Sequence, residues 1–275
     1  MTNDPFAPLD GAGRPVRRSA SQDWTAIIPV PETAPKPPAR HPKRGKPSGV
    51  WKYLDADGKL CSLAVRFDGK DGDKAVLPLT WQKDTKGREG WRWAAIPDAR
   101  PLYHLDQLAQ RPDLPVLVCE GEKAADAGQV LLSGFIVVTS GGGSKAAEKT
   151  DWSPLIARRV VIWPDADEAG DAYAADVARM ALDAGADTVA IIEPPNEVER
   201  GWDAADALAE GWDQTRALDL ISRANACTTR APNVTHKNEI SANSNDLRSA
   251  HSSSSRTPPD TIADRDAEGG GNSRK

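Results

Sequence analysis

Short apolar runs alternate with longer charged and alanine-rich segments between residues 113 and 222. The apolar runs are LPVLVCE, FIVVTS, RRVVIWPDAD and TVAIIEPP, and the segments between them include EKAADAGQVLL and EAGDAYAADVARMALDAG. Apolar strands that alternate with helices are typical of parallel β-α units, because helices on both faces bury such strands. The pattern predicts an α/β domain over residues 113–222, with a doubly wound parallel sheet covered by helices on both faces.

A different pattern precedes this domain. In VWKYL, LCSLAVRF, KAVLPLTW and GWRWAAI, apolar and polar residues alternate or β-branched and aromatic residues dominate, and Asp/Gly-rich turns separate these runs. This favours antiparallel strands joined by tight turns. The segment 99–112 follows as a connector with one short helix, because Leu102, Leu105 and Leu108 recur at helical spacing. We therefore predict a small β domain with its connector over residues 49–112.

Tryptophan is the conspicuous residue of this small domain. We expect its core to be supplied by Trp51, Trp81, Trp91 and Trp93. A base-stacking platform is the alternative, but tryptophan in a small sheet is more often packing.

Both ends of the chain lack apolar periodicity. Residues 1–48 are rich in proline and basic side chains, and residues 223–275 are rich in Ser, Asn, Thr and Gly. Segments of this kind bury too little surface to offset their ordering entropy, so we expect a disordered arm and a disordered tail. The arm carries a basic cluster of Arg40, Lys43, Arg44 and Lys46. A solvated linker is the favoured interpretation of that cluster, and contact with phosphates is the alternative.

Composition narrows the functional classes. The 275-residue chain is 39% hydrophobic and 27% charged, with a formal net charge of −5, so contact with nucleic acid requires a local basic patch or a bridging metal. The cysteines and histidines are Cys61, Cys119, Cys227, His41, His104, His236 and His251. Their scattered spacing argues against a disulfide framework and a zinc site, so no zinc is expected. No apolar run has signal-peptide or membrane-span character, and we expect a cytoplasmic protein with no membrane contact.

Polar residues gather where the predicted parallel strands end. Glu120-Gly121 closes the first strand, the loop GGGSK follows the second, and Pro164-Asp165-Ala166-Asp167 follows the third. Ligands of open α/β sheets bind beyond the carboxyl ends of the strands, so these positions are the candidate site. Asp165 and Asp167, two residues apart, place two hard oxygen ligands beside Glu120, which suits Mg²⁺ or Mn²⁺. The alternative is that these acids cap the following helix.

The loop GGGSK, which contains Gly142, Gly143 and Lys145, invites comparison with a phosphate-binding loop. It does not match the Walker A pattern, because its lysine follows serine and precedes alanine. A turn whose amides approach a phosphate and a plain strand-to-helix turn are about equally compatible with it.

The ordered set of motifs resembles the Toprim domain, the catalytic module of bacterial-type primases, type IA and type II topoisomerases, OLD-family nucleases and small recombination proteins. The matching residues are Glu120-Gly121 and the D-x-D-x-x-G sequence from Asp165 to Gly170. The finer resemblance, over roughly residues 49–222, is to Toprim segments of phage and plasmid primase/helicase proteins of the DnaG-type superfamily. VLVCEGEKAADA, TSGGGSKA, DWSPLIARRVVIWPDADEAG and GWDAADAL carry it. The resemblance implies a Toprim-like, Rossmann-like fold.

The resemblance also implies a role for each matched residue. Glu120 would be the general acid/base of phosphoryl transfer, and Asp165 and Asp167 would coordinate Mg²⁺ or Mn²⁺ together with it. Gly121 would allow close backbone approach, and Lys123 and Lys145 would neutralise phosphate charge. Asp203 and Asp206, in GWDAADALAEGW, lie where these primases carry a further acidic motif, and an N-cap with a helix acid explains them about equally well.

The implied activity is Mg²⁺-dependent nucleotidyl transfer in DNA replication. It would make RNA primers on single-stranded DNA from nucleoside triphosphates, and a replicative helicase from a separate chain is a further expected partner. Two alternatives stay open, a Toprim-type metal-dependent nuclease and a catalytically silent module that binds DNA or docks on a helicase. The same acids can direct water instead of a 3′-hydroxyl, which keeps the nuclease in view, although OLD-type nucleases usually carry an ATPase and no Walker A sequence is found here. The absence of a basic template-binding domain keeps the non-catalytic module in view.

Overall fold

Two five-stranded sheets organise the described part of the chain. The computed structural model describes residues 24–69 and 72–227, except for the side chains of Ser144 and Lys145. One sheet is antiparallel, and the other has four parallel strands with helices on both faces. The predicted fold class, an α/β sheet preceded by a small antiparallel sheet, is therefore confirmed.

The antiparallel sheet comes first in the chain. Its strands are β1 (Trp24–Ala26), β2 (Gly49–Leu54), β3 (Leu60–Asp68), β4 (Lys74–Asp84) and β5 (Glu89–Arg92). They lie in the order β1-β4-β3-β2, and β5 also pairs with β4. The short helix α1 (Leu105–Gln110) leads from this sheet into the α/β part, as the leucine spacing predicts.

The second sheet consists of β6 (Val116–Cys119), β7 (Ile136–Val138), β8 (Arg159–Trp163), β9 (Thr188–Ile191) and β10 (Asn225–Cys227). Its strand order is β10-β9-β8-β6-β7, in which β10 alone runs antiparallel to its neighbour. The helices are α2 (Glu122–Leu131), α3 (Glu168–Asp183), α4 (Ala204–Ala209) and α5 (Gln214–Ser222), with 3-10 turns at Ser144–Lys149 and Ser153–Leu155.

Alternate residues of each parallel strand enter opposite cores. In β6, Leu117 and Cys119 pack under α2, α4 and α5, whereas Val116 and Val118 pack under α1 and α3. All four side chains are fully buried. Strands that are buried on both faces have continuous runs of apolar residues, and these runs allow the parallel strands to be predicted from the sequence.

The core of the antiparallel sheet differs from the prediction. It is built from Leu63, Val65, Phe67 and Leu79, and Trp91 and Trp93 cover its edge while partly exposed. Trp81 is buried, but Trp51 packs against the α/β part instead. Leu63, Val65 and Phe67 alternate along β3 and pack with Leu79 of β4, whereas the indoles of Trp91 and Trp93 lie at the margin of this layer.

Two short strands lie in segments predicted to be disordered. β1 lies in the predicted arm and pairs with β4, and β10 lies in the predicted tail and pairs with β9. The proline-rich segment also contacts the sheet, because the Trp91 indole donates to the Pro35 carbonyl oxygen at 2.7 Å. Three-residue edge strands gain backbone hydrogen bonds from a neighbour and need no periodicity of their own. The rest of the predicted arm and tail, residues 1–23 and 228–275, lies outside the described residues.

Within the described residues, no helix has the length and apolar character needed to span a membrane. Cys61, Cys119 and Cys227 are all free thiols, as expected from their spacing.

Candidate active site

The order of the parallel strands creates a crevice at the predicted site. The chain runs from β6 to β7 on one side and then to β8 on the other side of β6. Carboxyl ends of strands at such a switch point diverge and leave room for a ligand. Glu120 directly follows β6, and Asp165 follows β8 after one proline. Both are half-buried and line the same cleft.

The loop after β8 is built around Gly170. A Cβ atom on this residue would overlap the carbonyl oxygen of Asp165, so the first turn of α3 can pack against the Asp165 backbone only if residue 170 is glycine. The final residue of the D-x-D-x-x-G sequence is therefore glycine for a steric reason, because only glycine lets α3 begin so close to the Asp165 backbone.

Asp167 is the N-cap of α3. Its Oδ1 accepts hydrogen bonds from the backbone N–H groups of Ala169 at 3.0 Å and Gly170 at 2.9 Å. Its Oδ2 lies 3.8 Å from Nε of Arg200. Asp167 is not among the residues that line the cleft. In the structure, Asp167 therefore caps α3, as the alternative interpretation of the D-x-D sequence expects. Its role as a metal ligand stays a prediction.

Asp203 and Asp206 are brought to the same cleft by a second loop. Backbone hydrogen bonds from Ala166 N to Trp202 O (2.9 Å) and from Gly201 N to Ala166 O (3.0 Å) hold this loop beside the one that carries Asp165. Asp203 caps α4 and forms a capping box with Asp206. Both carboxylates are half-buried and line the cleft, so Asp203 and Asp206 form the capping box of α4 and also belong to the candidate site.

The clustered carboxylates repel one another. Burial raises the pKa of Asp165 to about 7, and the charges of Glu120, Asp203, Asp167 and Asp206 add to this effect in that order. Burial also raises the pKa of Asp203, although backbone hydrogen bonds and the charge of Lys123 oppose the rise. Like charges held this close favour a cation between them.

The donor set suits a hard divalent cation. Carboxylate oxygens are the preferred protein ligands of Mg²⁺, which often takes only one or two of them and completes its shell with water and substrate phosphate. Among residues 24–69 and 72–227, no three His, Cys, Asp or Glu side chains already converge as a metal site. Glu120 and Asp165 fit an ion held by few protein ligands, and they do not form a closed cage.

The glycines of the site differ in what they require. Gly142 and Gly143 adopt positive φ values of 104° and 76°, which favour glycine. Gly121 has an extended backbone, and a Cβ there would meet nothing within 4 Å. Close packing therefore does not explain Gly121, and its role beside a bound ligand stays a prediction. Gly121, Gly142 and Gly143 all line the cleft. Lys145 lies in the 3-10 turn Ser144–Lys149, and its side chain lies outside the described part of the structure.

Basic side chains line the same cleft. Arg66 and Lys74 come from β3 and β4 of the antiparallel sheet, and Lys123 comes from the first turn of α2. The sequence motifs include Lys123 but neither Arg66 nor Lys74. Arg66 and Lys74 carry no motif, and only the docking of one sheet against the other brings them to the site.

That docking is made by hydrogen bonds from β2 to α2. The Tyr53 hydroxyl donates to Oε1 of Glu122 at 2.8 Å, and the Trp51 indole donates to Oδ2 of Asp126 at 2.8 Å. Tyr103 donates to the other oxygen of Asp126, also at 2.8 Å. Tyr53 and Glu122 are buried, so this hydrogen bond lies inside the contact between β2 and α2. The partners lie 69 and 75 positions apart, so no local sequence pattern indicates this contact.

Comparison with known proteins gives structural similarity at low sequence identity. The Aquifex aeolicus primase (zinc-binding and RNA polymerase domains) matches 65% of this chain with 16% identity and a TM-score of 0.43. The E. coli primase catalytic core matches 64% with 20% identity, and a DnaG primase catalytic domain bound to ssDNA matches 64% with 19% identity, both with a TM-score of 0.42.

The matched region spans 40% to 52% of the length of these three proteins. No family model matches the sequence, and no curated protein matches it either.

Proposed function

We propose that this chain is a primase-like, Mg²⁺-dependent nucleotidyltransferase that acts on single-stranded DNA. The observation that carries the proposal is that Glu120, Asp165 and Asp203 line one cleft together with basic side chains of a second sheet. Acids alone would repel a polyphosphate. Acids that share a cleft with Arg66, Lys74 and Lys123 suit a substrate that brings phosphate and cation together.

Each group has a chemical task in this proposal. Glu120 and Asp165 would hold Mg²⁺, with Asp167 beside them, and the ion would offset the charge that develops on the phosphate oxygens. Glu120 would also move the proton of the attacking 3′-hydroxyl. Lys123 would hold the phosphates from the helix side, and Arg66 and Lys74 would hold them from the facing sheet. Gly121 leaves space for the phosphate chain beside the strand end.

Primer synthesis on single-stranded DNA tests the proposal. With nucleoside triphosphates and Mg²⁺, we expect oligonucleotide products that Glu120→Gln abolishes. Glu193→Gln is the matched control, because Glu193 follows the neighbouring strand β9 and is exposed outside the cleft. Template-dependent products that survive Glu120→Gln would contradict the role of Glu120.

The same assay separates the alternative activities. Mg²⁺-dependent cleavage of DNA without triphosphates, lost in Glu120→Gln, would indicate a Toprim-type nuclease instead. DNA binding that ignores Mg²⁺ and survives Asp165→Asn, without synthesis or cleavage, would indicate a non-catalytic binding module. A requirement for a helicase partner would appear as synthesis that begins only when that partner is added.

A further inference from the structure

The buried face of α3 carries one hydroxyl group, that of Tyr173. This residue lies in the first half of the helix and is 1% exposed. The other buried residues of α3 have no polar side-chain atom, and they are Gly170, Ala174, Val177, Ala178 and Ala181. A buried hydroxyl needs hydrogen-bond partners within the protein. The partners of Tyr173 therefore show which parts of the fold it connects.

The Tyr173 hydroxyl joins the ends of two parallel strands. It donates to the carbonyl oxygen of Cys119 at 3.2 Å and lies 3.0 Å from Oγ of Ser140. Because a carbonyl oxygen can only accept and tyrosine has one hydroxyl proton, the Ser140 hydroxyl donates to Tyr173. Cys119 directly precedes Glu120, and Ser140 directly precedes the loop GGGSK.

These two hydrogen bonds lie just past the paired part of the strands. The paired residues of β6 and β7 end at Val118 and Val138, at the edge where the crevice opens. Tyr173 therefore bridges the two strand ends at the point where their backbone pairing has ended.

The same helix is fixed to the end of a third strand. Gly170 lies three residues before Tyr173, so both residues are on one face of α3. Gly170 packs directly against the backbone of Asp165, where a Cβ would overlap the carbonyl oxygen. One face of α3 thus contacts all three strand ends of the site, next to Glu120, the loop GGGSK and Asp165.

Tyr173 does not take part in the chemistry itself. It is not among the residues that line the cleft. Burial raises the pKa of Tyr173 to about 12, although hydrogen bonds with Ser140 and Thr139 oppose this rise. The hydroxyl therefore stays protonated near neutral pH and keeps donating to Cys119. Any effect of Tyr173 on a reaction acts through the positions of other residues.

We propose that Tyr173 is a positioning residue that holds the carboxylates of Glu120 and Asp165 at the separation a divalent cation requires, an inference that rests on the proposed function. Mg²⁺ demands nearly ideal octahedral geometry, so two ligands on different strands must be held at a fixed separation. The path from one ligand to the other runs from Glu120 through Cys119, Tyr173 and Gly170 to Asp165.

Tyr173→Phe tests the inference, because it removes the hydroxyl and keeps the ring. Thr80→Val is the matched control. The buried Thr80 hydroxyl also donates to a backbone carbonyl oxygen, that of Ala94 at 3.0 Å, and accepts from Gln82 at 2.8 Å, in the antiparallel sheet outside the cleft. The dissociation constant of Mn²⁺ for the full chain without substrate is measured by electron paramagnetic resonance of the free ion. We expect Tyr173→Phe to weaken Mn²⁺ binding about tenfold and Thr80→Val to leave it within about twofold.

Primer synthesis supplies a second readout. Tyr173→Phe should lower kcat about tenfold and leave KM for nucleoside triphosphates within about twofold, because Arg66, Lys74 and Lys123 still hold the phosphates. Unfolding curves fix a temperature at which every variant is folded, and all measurements are made there. Ser140→Ala removes one of the two hydrogen bonds and should weaken Mn²⁺ binding about threefold. It carries the test if Tyr173→Phe does not fold, and wild-type affinity in Ser140→Ala would then overturn the inference.

The outcomes separate this inference from the proposed function. Wild-type protein that makes no primers contradicts the proposed function, and wild-type protein that also binds no Mn²⁺ overturns the inference as well. If wild type does both and Tyr173→Phe equals it, the positioning role is overturned and the proposed function stands. Equal losses in Tyr173→Phe and Thr80→Val also overturn the positioning role, because they would show a general effect of removing a buried hydroxyl.

Discussion

At the scale of single residues, the place of each acid in its loop decides whether its side chain caps a helix, lines the cleft or does both. Asp167 and Asp203 both cap helices, yet only Asp203 lines the cleft. A D-x-D sequence next to a helix is therefore ambiguous until the loop geometry is known. The strand pattern predicts Glu120 and Asp165 at one edge, because it fixes where the strands end. It cannot predict Arg66 and Lys74, which reach the cleft from a separate sheet.

Gly170→Ala is expected to destabilise the protein, although alanine is the better helix former. Helix propensity alone would favour alanine by about 0.5–1 kcal/mol, whereas the overlap with the Asp165 carbonyl should cost about 1–3 kcal/mol. Urea denaturation measures the balance. In Gly134→Ala, where a Cβ meets nothing within 4 Å, we expect a change within about 0.5 kcal/mol. Equal stability of wild type and Gly170→Ala would show that the loop after β8 relaxes freely.

Asp203→Asn separates the capping role of this residue from its charge. Asparagine caps helices as well as aspartate does, so stability should stay within about 0.5 kcal/mol of wild type. Loss of the carboxylate from the cleft should lower primer synthesis by about tenfold or more. Asp213→Asn is the control, since Asp213 caps α5 outside the cleft and should retain full activity. Full activity of Asp203→Asn would show that Asp203 serves only as a helix cap.

At the scale of elements, the sequence identifies those strands and helices that bury a continuous face. β6, β8, α2 and α3 carry strong apolar patterns and appear where expected. β1 and β10 have three residues each and could not be predicted, because their stability comes from pairing with another strand. The hydrogen bonds from β2 to α2 join residues 69 and 75 positions apart, beyond any local pattern.

The β4–β5 hairpin should depend on pH through Asp84. This buried carboxylate accepts from the backbone N–H groups of Lys86 (2.9 Å) and Arg88 (2.8 Å) and from Nε of Arg88 (2.6 Å). Burial acts to raise the pKa of Asp84, but these hydrogen bonds outweigh it and lower the pKa below its usual value. A lowered folded-state pKa stabilises the fold above the unfolded pKa of about 3.9, and that stability is lost as pH falls through the folded value.

Asp84→Asn tests this dependence. The variant should be less stable than wild type near neutral pH, and the difference should shrink as the pH falls below about 4. Urea denaturation midpoints across this range measure the difference. A difference that stays constant with pH would show that the loss comes from altered hydrogen-bond geometry and not from the charge of Asp84.

At the scale of the whole molecule, the candidate site is a cleft between two sheets in a chain of net charge −5. The α/β sheet supplies the acids, and the antiparallel sheet supplies two of the basic groups. The α/β part supplies the acids and Lys123, and Arg66 and Lys74 join them only because the antiparallel sheet packs beside it. The sequence predicts each sheet separately, and their relative placement follows from side chains distant in sequence.

This arrangement predicts that single-stranded DNA binds at the basic side chains of the cleft, although the net charge of the protein is negative. Lys74→Gln should weaken binding to every DNA sequence alike and lower the slope of log affinity against log salt by about 0.7, the share of one phosphate contact on a single strand. Lys59→Gln removes an equally exposed lysine from the turn after β2, outside the cleft, and should leave the slope unchanged. Fluorescence anisotropy with a labelled oligonucleotide at several salt concentrations measures both. Equal slopes for the two variants would show that DNA does not enter between the sheets. A smaller slope for Lys74→Gln alone would place a phosphate in the cleft that Glu120 and Asp165 line, as the proposed nucleotidyl transfer requires.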